Sequence, residues 1–154
     1  MNSVLIDTNL LVLLIVGATD KKLIEEHRRT KAFVTRDYDE LCGLLEGFDE
    51  FWITSHCLAE TSNLLKQTGK KNTRSLLTTL AMFCSRTRES YLAKDLVFAD
   101  DHYPRLGVAD TGFIKKSKRV TCSITMDVEL YETISRLGRR VVNFNHVRAA
   151  YLTA

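Results

Sequence analysis

The sequence predicts an α/β fold of three layers, in which a parallel sheet of about four to five strands carries helices on both faces. Two observations lead to this prediction. Short apolar runs alternate along the chain with longer segments of helical periodicity, and carboxylates follow two of these runs where strands would end. The 154 residues, 45% of them hydrophobic, are enough for one buried core, so we expect a single domain over residues 1–154.

The first half of the chain is predicted to begin with a strand and to alternate between strands and helices. We predict, in order, a strand at residues 4–6, helices at 10–16 and 20–29, a strand at 51–53 and a helix at 55–67. Asp20 and Ser55 are residue types that commonly cap helix starts, and Gly69 is suited to end the helix before it.

The second half continues this alternation. We predict, in order, a helix at 73–86 with Asn72 as its cap, a helix at 108–118, a strand at 120–125, a helix from Asp127 to about Gly138 and a strand at 141–144. Residues 90–106 carry no clear pattern. Strands that alternate with helices favour parallel pairing, because each connection must cross back over the sheet.

Composition and spacing argue against several classes of protein. The longest apolar run, residues 10–18, is far shorter than the roughly 18 residues of a membrane span, and the chain start lacks the basic residues of a signal peptide. We therefore expect a cytoplasmic protein without a membrane association. The cysteines form no Cys-x-x-Cys pair and the histidines no His-x-x-x-His pair, so we expect reduced core thiols and no zinc site.

Charge is segregated along the sequence, although the net charge is only +3. No acid lies between Glu60 and Glu89, and Asp110 is the only acid in residues 102–126. Bases occupy both stretches, and we expect six lysines in them to contact the phosphates of a nucleic acid: Lys66, Lys70, Lys71, Lys115, Lys116 and Lys118. Ordinary solvation of helix faces is the alternative.

Residues 37–50, the acidic stretch, show the opposite bias, with six acids and neither lysine nor arginine. Such a stretch would repel nucleic acid. We expect it to be a solvated helix and loop away from the substrate; the alternative is a surface for a basic partner.

Four carboxylates lie where a ligand could use them. Asp7 and Asp127 follow predicted strands, and open parallel sheets bind ligands at that edge. Glu60 lies beside the apolar stripe of its helix, with Asn63 on the same side to orient it, and Asp110 lies in the first turn of its helix. Each has an ordinary alternative. Asp7 and Asp127 are good helix caps, an acid at Asp110 suits the helix dipole, and Glu60 could simply reach solvent.

Carboxylates that converge inside a fold repel one another and lose hydration, so they usually gather around a cation that offsets both costs. Their hard oxygen atoms favour Mg²⁺ or Mn²⁺. The four acids therefore predict a divalent-metal site.

Five segments in a fixed order cover nearly the whole chain: Leu5-Ile6-Asp7-Thr8-Asn9, Glu60 in a helix, Leu106-Gly107-Val108-Ala109-Asp110, Ile124-Thr125-Met126-Asp127 and Gly138-Arg139-Arg140-Val141-Val142. In this order and spacing they resemble the PIN-domain nucleases, with the VapC-like ribonuclease toxins among the most similar in size. The resemblance implies a PIN-like fold in which the four acids gather around one or two divalent cations. It also implies that Thr8, Asn9 and Thr125 orient the metal ligands without binding the metal themselves.

The resemblance further implies a Mg²⁺- or Mn²⁺-dependent endoribonuclease that cleaves single-stranded RNA or a structured loop. Small PIN-domain proteins resemble toxins that an antitoxin inhibits, which implies an inhibitory protein partner. Similar proteins often form homodimers, and Leu13, Leu14 or the helix from Thr73 could contribute the surface, although core packing explains these residues equally well.

Other functions share some of these features. A PIN nuclease acting on DNA, in RNA maturation or in phage defence would use the same acids, and a catalytically silent PIN scaffold would serve as a binding or assembly module. A receiver-type phosphoacceptor domain would need paired acids near the first strand, where Asp7 stands alone. A nucleotide-binding Rossmann domain would need a Gly-x-Gly-x-x-Gly segment after that strand, and none is present.

Overall fold

Strands and helices alternate through residues 1–152, the part of the chain that the computed structural model describes. The strands are β1 (Ser3–Ile6), β2 (Glu50–Thr54), β3 (Arg88–Ser90), β4 (Cys122–Thr125) and β5 (Val141–Asn143). The helices are α1 (Thr8–Thr19), α2 (Thr35–Leu45), α3 (Ser55–Leu65), α4 (Lys70–Cys84), α5 (Lys94–Phe98), α6 (Tyr103–Ser117), α7 (Val128–Arg136) and α8 (Phe144–Leu152). A short 3-10 helix (Lys21–Leu23) follows α1.

The strands form one parallel sheet in the order β3-β2-β1-β4-β5. From β1 the chain moves toward β2 and β3, and from β4 it moves the other way to β5, so right-handed crossovers place the connecting helices on opposite faces. Accordingly, α1 packs against α2, α3 and α4, whereas α6 packs against α5 and α7. The predicted three-layer α/β fold with a parallel sheet is confirmed.

The central strands and α1 contain continuous apolar runs because they are enclosed on all sides. Every residue of β1 and β4 is buried, as expected when helices cover both faces of a sheet. Residues 10–16 of α1 are also buried. Leu13 and Leu14 belong to this run, so they are core residues and offer no surface for a dimer.

A crevice is expected between β1 and β4. The connections that follow these two neighbouring strands leave in opposite directions, and such a switch opens a cleft outside the carboxyl ends of the strands. Asp7 directly follows β1, and Asp127 lies two residues after the end of β4. The topology thus brings both carboxylates to the same edge of the sheet.

The helix predicted at residues 20–29 is wrong. Only Lys21–Leu23 is helical, as one 3-10 turn, although Asp20 caps it by accepting a hydrogen bond from the Lys22 N–H (2.9 Å). The chain then turns repeatedly, and the buried Thr30 hydroxyl donates to the Ile24 carbonyl (2.7 Å). Side-chain bonds of this kind compete with helical hydrogen bonds, and periodicity does not reveal them.

Three short elements lie outside the predictions. β3 is a three-residue edge strand in which Arg88 and Glu89 are exposed, and α5 has only five residues. Helix α8 begins at Phe144, where the last strand was predicted to end. None of the three contains an apolar period long enough to indicate its type.

Two helix N-caps differ from the predicted ones, Ser55 and Asn72. The Thr54 hydroxyl, rather than Ser55, caps α3 by accepting from the Cys57 N–H (3.1 Å). Helix α4 begins earlier than predicted, at Lys70, with Gly69 as its N-cap. The caps move by one and three residues, which is within the usual error of element boundaries predicted from sequence.

The acidic stretch is only partly solvated. Asp39 and Asp49 are exposed as predicted, but Asp37 has no exposed surface. Its carboxylate accepts two hydrogen bonds of 3.0 Å from Arg148 and a third from the Tyr151 hydroxyl. Asp37 therefore fastens α8 to α2, and the prediction of a solvated side chain is wrong at this position.

None of the helices within residues 1–152 combines the length and the apolar character needed to cross a bilayer. The four cysteines are free thiols; Cys57 and Cys122 are buried, whereas Cys42 and Cys84 are half-buried.

Candidate active site

A cavity of about 220 Å³ lies where β1 and β4 end. All four predicted acids line it, and the complete lining is Asp7, Thr8, Asn9, Cys57, Glu60, Ala109, Asp110 and Asp127. These residues come from four separate parts of the sequence. The fold thus gathers the carboxylates in one place, which we call the acid cavity.

Asp7 is the most firmly held of these acids. Its Oδ1 accepts from the Thr8 N–H (2.8 Å), which caps α1, and its Oδ2 accepts from the Thr125 hydroxyl (2.6 Å). Only 8% of the residue is exposed. Burial raises the pKa of Asp7 although both hydrogen bonds oppose the rise, and the charges of Asp127 and Glu60 add to it. Asp7 is thus both the cap of α1 and a buried carboxylate whose ionised form is disfavoured.

Thr125 links the acids of the two strands. Its hydroxyl donates to Asp7 and accepts from the Asp127 N–H (3.0 Å), and the side chain is fully buried. Asp127 in turn caps α7, with its Oδ1 accepting from the Leu130 N–H (2.9 Å). The side chain of Asp127 is exposed, so its second oxygen can turn toward the acid cavity.

Asp110 is positioned by a break in α6. Gly107 has φ 79° and ψ −174°, which interrupts the helix, so that helical geometry resumes at Val108. Asp110 therefore lies in the first turn of the resumed segment, in agreement with the predicted helix start. Its carboxylate lies near the partial positive charge of a helix N-terminus.

The electrostatics of Asp110 reflect the crowding of acids. Burial raises the pKa of Asp110, and repulsion by neighbouring carboxylates raises it further, to about 6. The neighbours responsible are Asp7, Asp127, Glu60 and Glu129. Carboxylates that raise one another's pKa are typical of functional sites, because stability alone does not favour placing like charges together.

Glu129 was not among the predicted site residues. It lies in the first turn of α7, two residues after Asp127, and forms an exposed ion pair with Arg105. An acid in the first turn of a helix is commonly explained by its favourable interaction with the helix dipole, so nothing in the sequence singled out Glu129.

Glu60 is more exposed than its helix position predicted. It lines the acid cavity but is an exposed residue, so the alternative that Glu60 reaches solvent describes its side chain. Asn63 is also exposed and lies outside the lining. Of the supporting residues, Thr8 is buried and Asn9 exposed, and both line the cavity.

Cys57 is a lining residue that sequence reasoning missed. It is 2% exposed, and burial, followed by the charge of Asp7, raises the pKa of its thiol to about 11. A thiol with so high a pKa is protonated at neutral pH, which makes it a poor nucleophile and a poor metal ligand. Its place three residues before Glu60 on α3 was the signal that could have identified it.

The six predicted lysines lie outside the acid cavity. Lys66, Lys70 and Lys71 are exposed around the end of α3 and the start of α4. Lys118 follows the end of α6, eight residues after Asp110, which corresponds to about 12 Å along a helix axis. None of the six lysines is therefore a lining residue of the acid cavity.

The side chains of the acid cavity suit a divalent cation in kind, because Mg²⁺ and Mn²⁺ prefer carboxylate oxygen. Within residues 1–152, however, no group of three or more His, Cys, Asp or Glu side chains is arranged so that it could hold a metal ion as it stands. Glu60 is exposed, and one carboxylate oxygen of Asp127 lies outside its capping hydrogen bond, so side-chain rotation alone could bring these acids closer.

The Gly107→Ala variant is expected to lower the free energy of unfolding by about 1 to 3 kcal/mol, measured by urea titration, because the backbone angles of Gly107 are essentially restricted to glycine. The added Cβ would meet no atom within 4 Å, so the cost is backbone strain. Gly43→Ala, inside α2 and equally free of contacts, is the matched control and should stabilise by about 0.5 to 1 kcal/mol. Equal stability of Gly107→Ala and wild type would contradict this account.

No protein-family model matches the chain, and no curated protein matches its sequence. Solved structures do match. The crystal structure of Mycobacterium tuberculosis VapC20, described as a sarcin-ricin loop cleaving toxin, aligns with a TM-score of 0.52 and 14% identity over 84% of this chain and 94% of that chain. A likeness at this identity concerns the fold, and it confirms the predicted PIN-like fold.

Proposed function

We propose that this chain is a Mg²⁺- or Mn²⁺-dependent nuclease, most specifically an endoribonuclease that hydrolyses phosphodiester bonds. The observation that supports this proposal is the convergence of four carboxylates on one cavity at the carboxyl ends of β1 and β4. Folding places these like charges together at a cost, and a cation that bridges them to a phosphate would offset that cost.

Each acid has a distinct role in the proposal. Asp7 and Asp127 are the main ligands, Asp110 is a further ligand, directly or through water, and Glu60 holds a water or a second cation. A bound divalent cation supplies Lewis-acid chemistry, since it acidifies water for in-line attack and offsets charge on phosphorus oxygens. Thr125 fixes the orientation of the Asp7 carboxylate and of the Asp127 backbone, so Asp7 needs little reorganisation.

The proposed substrate is RNA, as a single strand or a structured loop. The acid cavity repels phosphates unless a cation is present, so lysines outside it must supply attraction for the strand. VapC20 is described as a sarcin-ricin loop cleaving toxin, which makes a structured loop a sensible first substrate to test. We also propose cytoplasmic action as the toxin of a toxin–antitoxin pair, with an inhibitory protein partner and a homodimer in which α4 contributes surface.

The rival function is a catalytically silent binding or assembly module. It is favoured by the finding that, in the described part of the chain, no side-chain group is already arranged to hold a metal. The two functions differ in metal binding. A nuclease should gain thermal stability from Mn²⁺ in proportion to the logarithm of its concentration, whereas a silent module should not.

The test of the proposed function compares wild type with Asp7→Asn on single-stranded and loop RNA, in Mg²⁺, Mn²⁺ or EDTA. We expect cleavage by wild type only with a divalent cation, and none by the variant, because Asp7 is the most rigidly held ligand. Cleavage that persists in EDTA or in Asp7→Asn would refute the mechanism. Absence of a Mn²⁺-dependent rise in the melting temperature would favour the silent module.

A further inference from the structure

A second cavity, of about 350 Å³, lies at the end of α6 away from Asp110. We call it the basic cavity, and its lining is Leu92, Leu96, Lys115, Lys116, Lys118 and Arg119. It shares no lining residue with the acid cavity. Four cations and two leucines thus surround a concave space that the proposed cleavage chemistry does not use.

Three of the four cations lack an acidic partner. Lys115 is paired with Asp100 (3.2 Å), but within residues 1–152 no ion pair involves Lys116, Lys118 or Arg119. Burial lowers the pKa of Lys116, and the charges of Arg119 and Lys118 lower it further. These cations therefore destabilise one another, and an anion in the cavity would relieve that repulsion.

The dipole of α6 explains only part of this arrangement. A base near a helix C-terminus gains about 0.3 to 1 kcal/mol from the dipole, which accounts for lysines in the last turn. Arg119 lies beyond the helix, and Leu92 and Leu96 come from a different segment. The concave shape therefore depends on a contact between two segments, which dipole compensation does not require.

We propose that the basic cavity binds the phosphate backbone of the RNA strand whose scissile phosphate lies in the acid cavity. This inference rests on the proposed function. The acid cavity carries four carboxylates and repels a polyanion, so the binding free energy for a long substrate must come from groups remote from the reacting phosphate. The basic cavity supplies such groups in a cluster.

An RNA strand fits the surroundings better than an acidic protein does. Tyr91, next to the lining residue Leu92 in the sequence, is 75% exposed, whereas Phe98 packs against Tyr103 with ring centroids 4.9 Å apart. An exposed aromatic ring near a groove of basic side chains is a common platform on which a nucleotide stacks, so Tyr91 favours a nucleic acid over an acidic peptide. The distance also suits a strand, because about 12 Å along α6 corresponds to about three to four stacked nucleotides.

The experiment measures binding without cleavage. Fluorescence anisotropy with a labelled single-stranded RNA is recorded in EDTA for the full chain and for the variant Lys116→Ala/Lys118→Ala/Arg119→Ala, and a gel verifies that the RNA stays intact. We expect the Kd of the variant to rise at least about 10-fold and the slope of log Kd against log salt to fall by about 2, since three cations each release about 0.7 of a counterion from a single strand.

The matched control removes three exposed cations from another surface, as Lys22→Ala/Arg28→Ala/Lys31→Ala. Both triple variants change the net charge equally, so we expect the control to alter Kd less than about 3-fold if position matters more than total charge. The variant Lys116→Arg/Lys118→Arg keeps the charges and should bind as wild type does. Should the first triple variant fail to fold, Lys118→Ala alone should reduce the slope by about 0.7.

Two results would overturn the proposal. One is equal loss of RNA binding in both triple variants, and the other is wild-type RNA binding by the basic-cavity variant. The same assay is repeated with labelled poly-glutamate. If the basic-cavity variant loses poly-glutamate binding but keeps RNA binding, the cavity binds an acidic protein instead. Because no cleavage is measured, an inactive wild type would refute the proposed function and leave this test intact.

Discussion

In metal-free buffer at pH 7, the free energy of unfolding of the Asp110→Asn variant is expected to exceed that of wild type by about 1 to 2 kcal/mol. With Mg²⁺ or Mn²⁺ present, the same variant is expected to cleave RNA about 100-fold or more slowly than wild type. A pKa raised from 3.8 to about 6 corresponds to a cost of about 3 kcal/mol for the ionised side chain, and partial exposure reduces that cost. Loss of a carboxylate that would hold the cation weakens the offset of transition-state charge by several kcal/mol, hence the larger loss of rate.

The stability difference between wild type and Asp110→Asn should depend on pH. Below about pH 4 Asp110 is protonated in both the folded and the unfolded chain, so wild type and variant should be equally stable. Between about pH 4 and 6 the unfolded chain releases the proton and the folded chain keeps it, so wild type loses stability as pH rises. The advantage of Asp110→Asn should therefore open over this range and stay constant above it.

Urea titrations of both proteins from pH 4 to 8 in EDTA would measure this effect. Asp101→Asn, an exposed acid elsewhere on the chain, is the matched control and should change stability by less than about 0.5 kcal/mol and leave cleavage unaltered. Mn²⁺ should raise the melting temperature of wild type more than that of Asp110→Asn. A variant less stable than wild type at pH 7, or one that cleaves normally, would contradict the assignment of Asp110.

Much of the sheet could be predicted because local patterns determine it. β1 and β4 are short apolar runs with every residue buried, and Asp7 and Asp127 follow them at the edge where such sheets bind ligands. The helix predicted from Val108 likewise begins where α6 resumes after Gly107. Strand exits and helix starts are properties of a few consecutive residues, which is why these positions could be located in advance.

The remaining features depend on contacts between residues far apart. The hydrogen bond from Thr125 to Asp7 joins positions 118 residues apart, and periodicity carries no information about such a pair. Glu60 shows the same limit, since helical spacing gave its side of α3 but the packing around α3 decided its exposure. The basic cavity also combines segments, because Leu92 and Lys116 meet only in the folded chain.

Asp37→Ala is expected to lower the free energy of unfolding by about 3 to 5 kcal/mol, measured by urea titration at pH 7. The substitution leaves the Tyr151 hydroxyl without its acceptor. It also leaves the Arg148 guanidinium, whose side chain is only 18% exposed, without a counter-charge and with only the Ala32 carbonyl (3.0 Å) as acceptor. It also removes the carboxylate that accepts from the Val34 N–H (2.8 Å) at the start of α2. The loss of both contacts should detach α8 from the rest of the fold.

The same carboxylate should make wild type sensitive to acid. Burial disfavours ionised Asp37, but hydrogen bonds from Arg148, Tyr151 and the Val34 N–H outweigh it and hold the pKa below 3.8. A group with a lowered pKa contributes stability above its unfolded pKa and loses it as pH falls through the folded value. Wild type should therefore lose this contribution below about pH 4, and Asp37→Ala should show no such loss.

Asp39→Ala is the matched control because Asp39 lies on the same helix and pairs with Lys21 at 2.6 Å, a shorter distance than either bond from Arg148 to Asp37. Both side chains of this ion pair are about half exposed, so the loss of the pair should cost less than about 1 kcal/mol of stability. Asp37→Leu/Arg148→Met, which removes both charges, should recover part of the stability that Asp37→Ala loses. Equal losses in Asp37→Ala and Asp39→Ala would mean that burial does not set the strength of this contact.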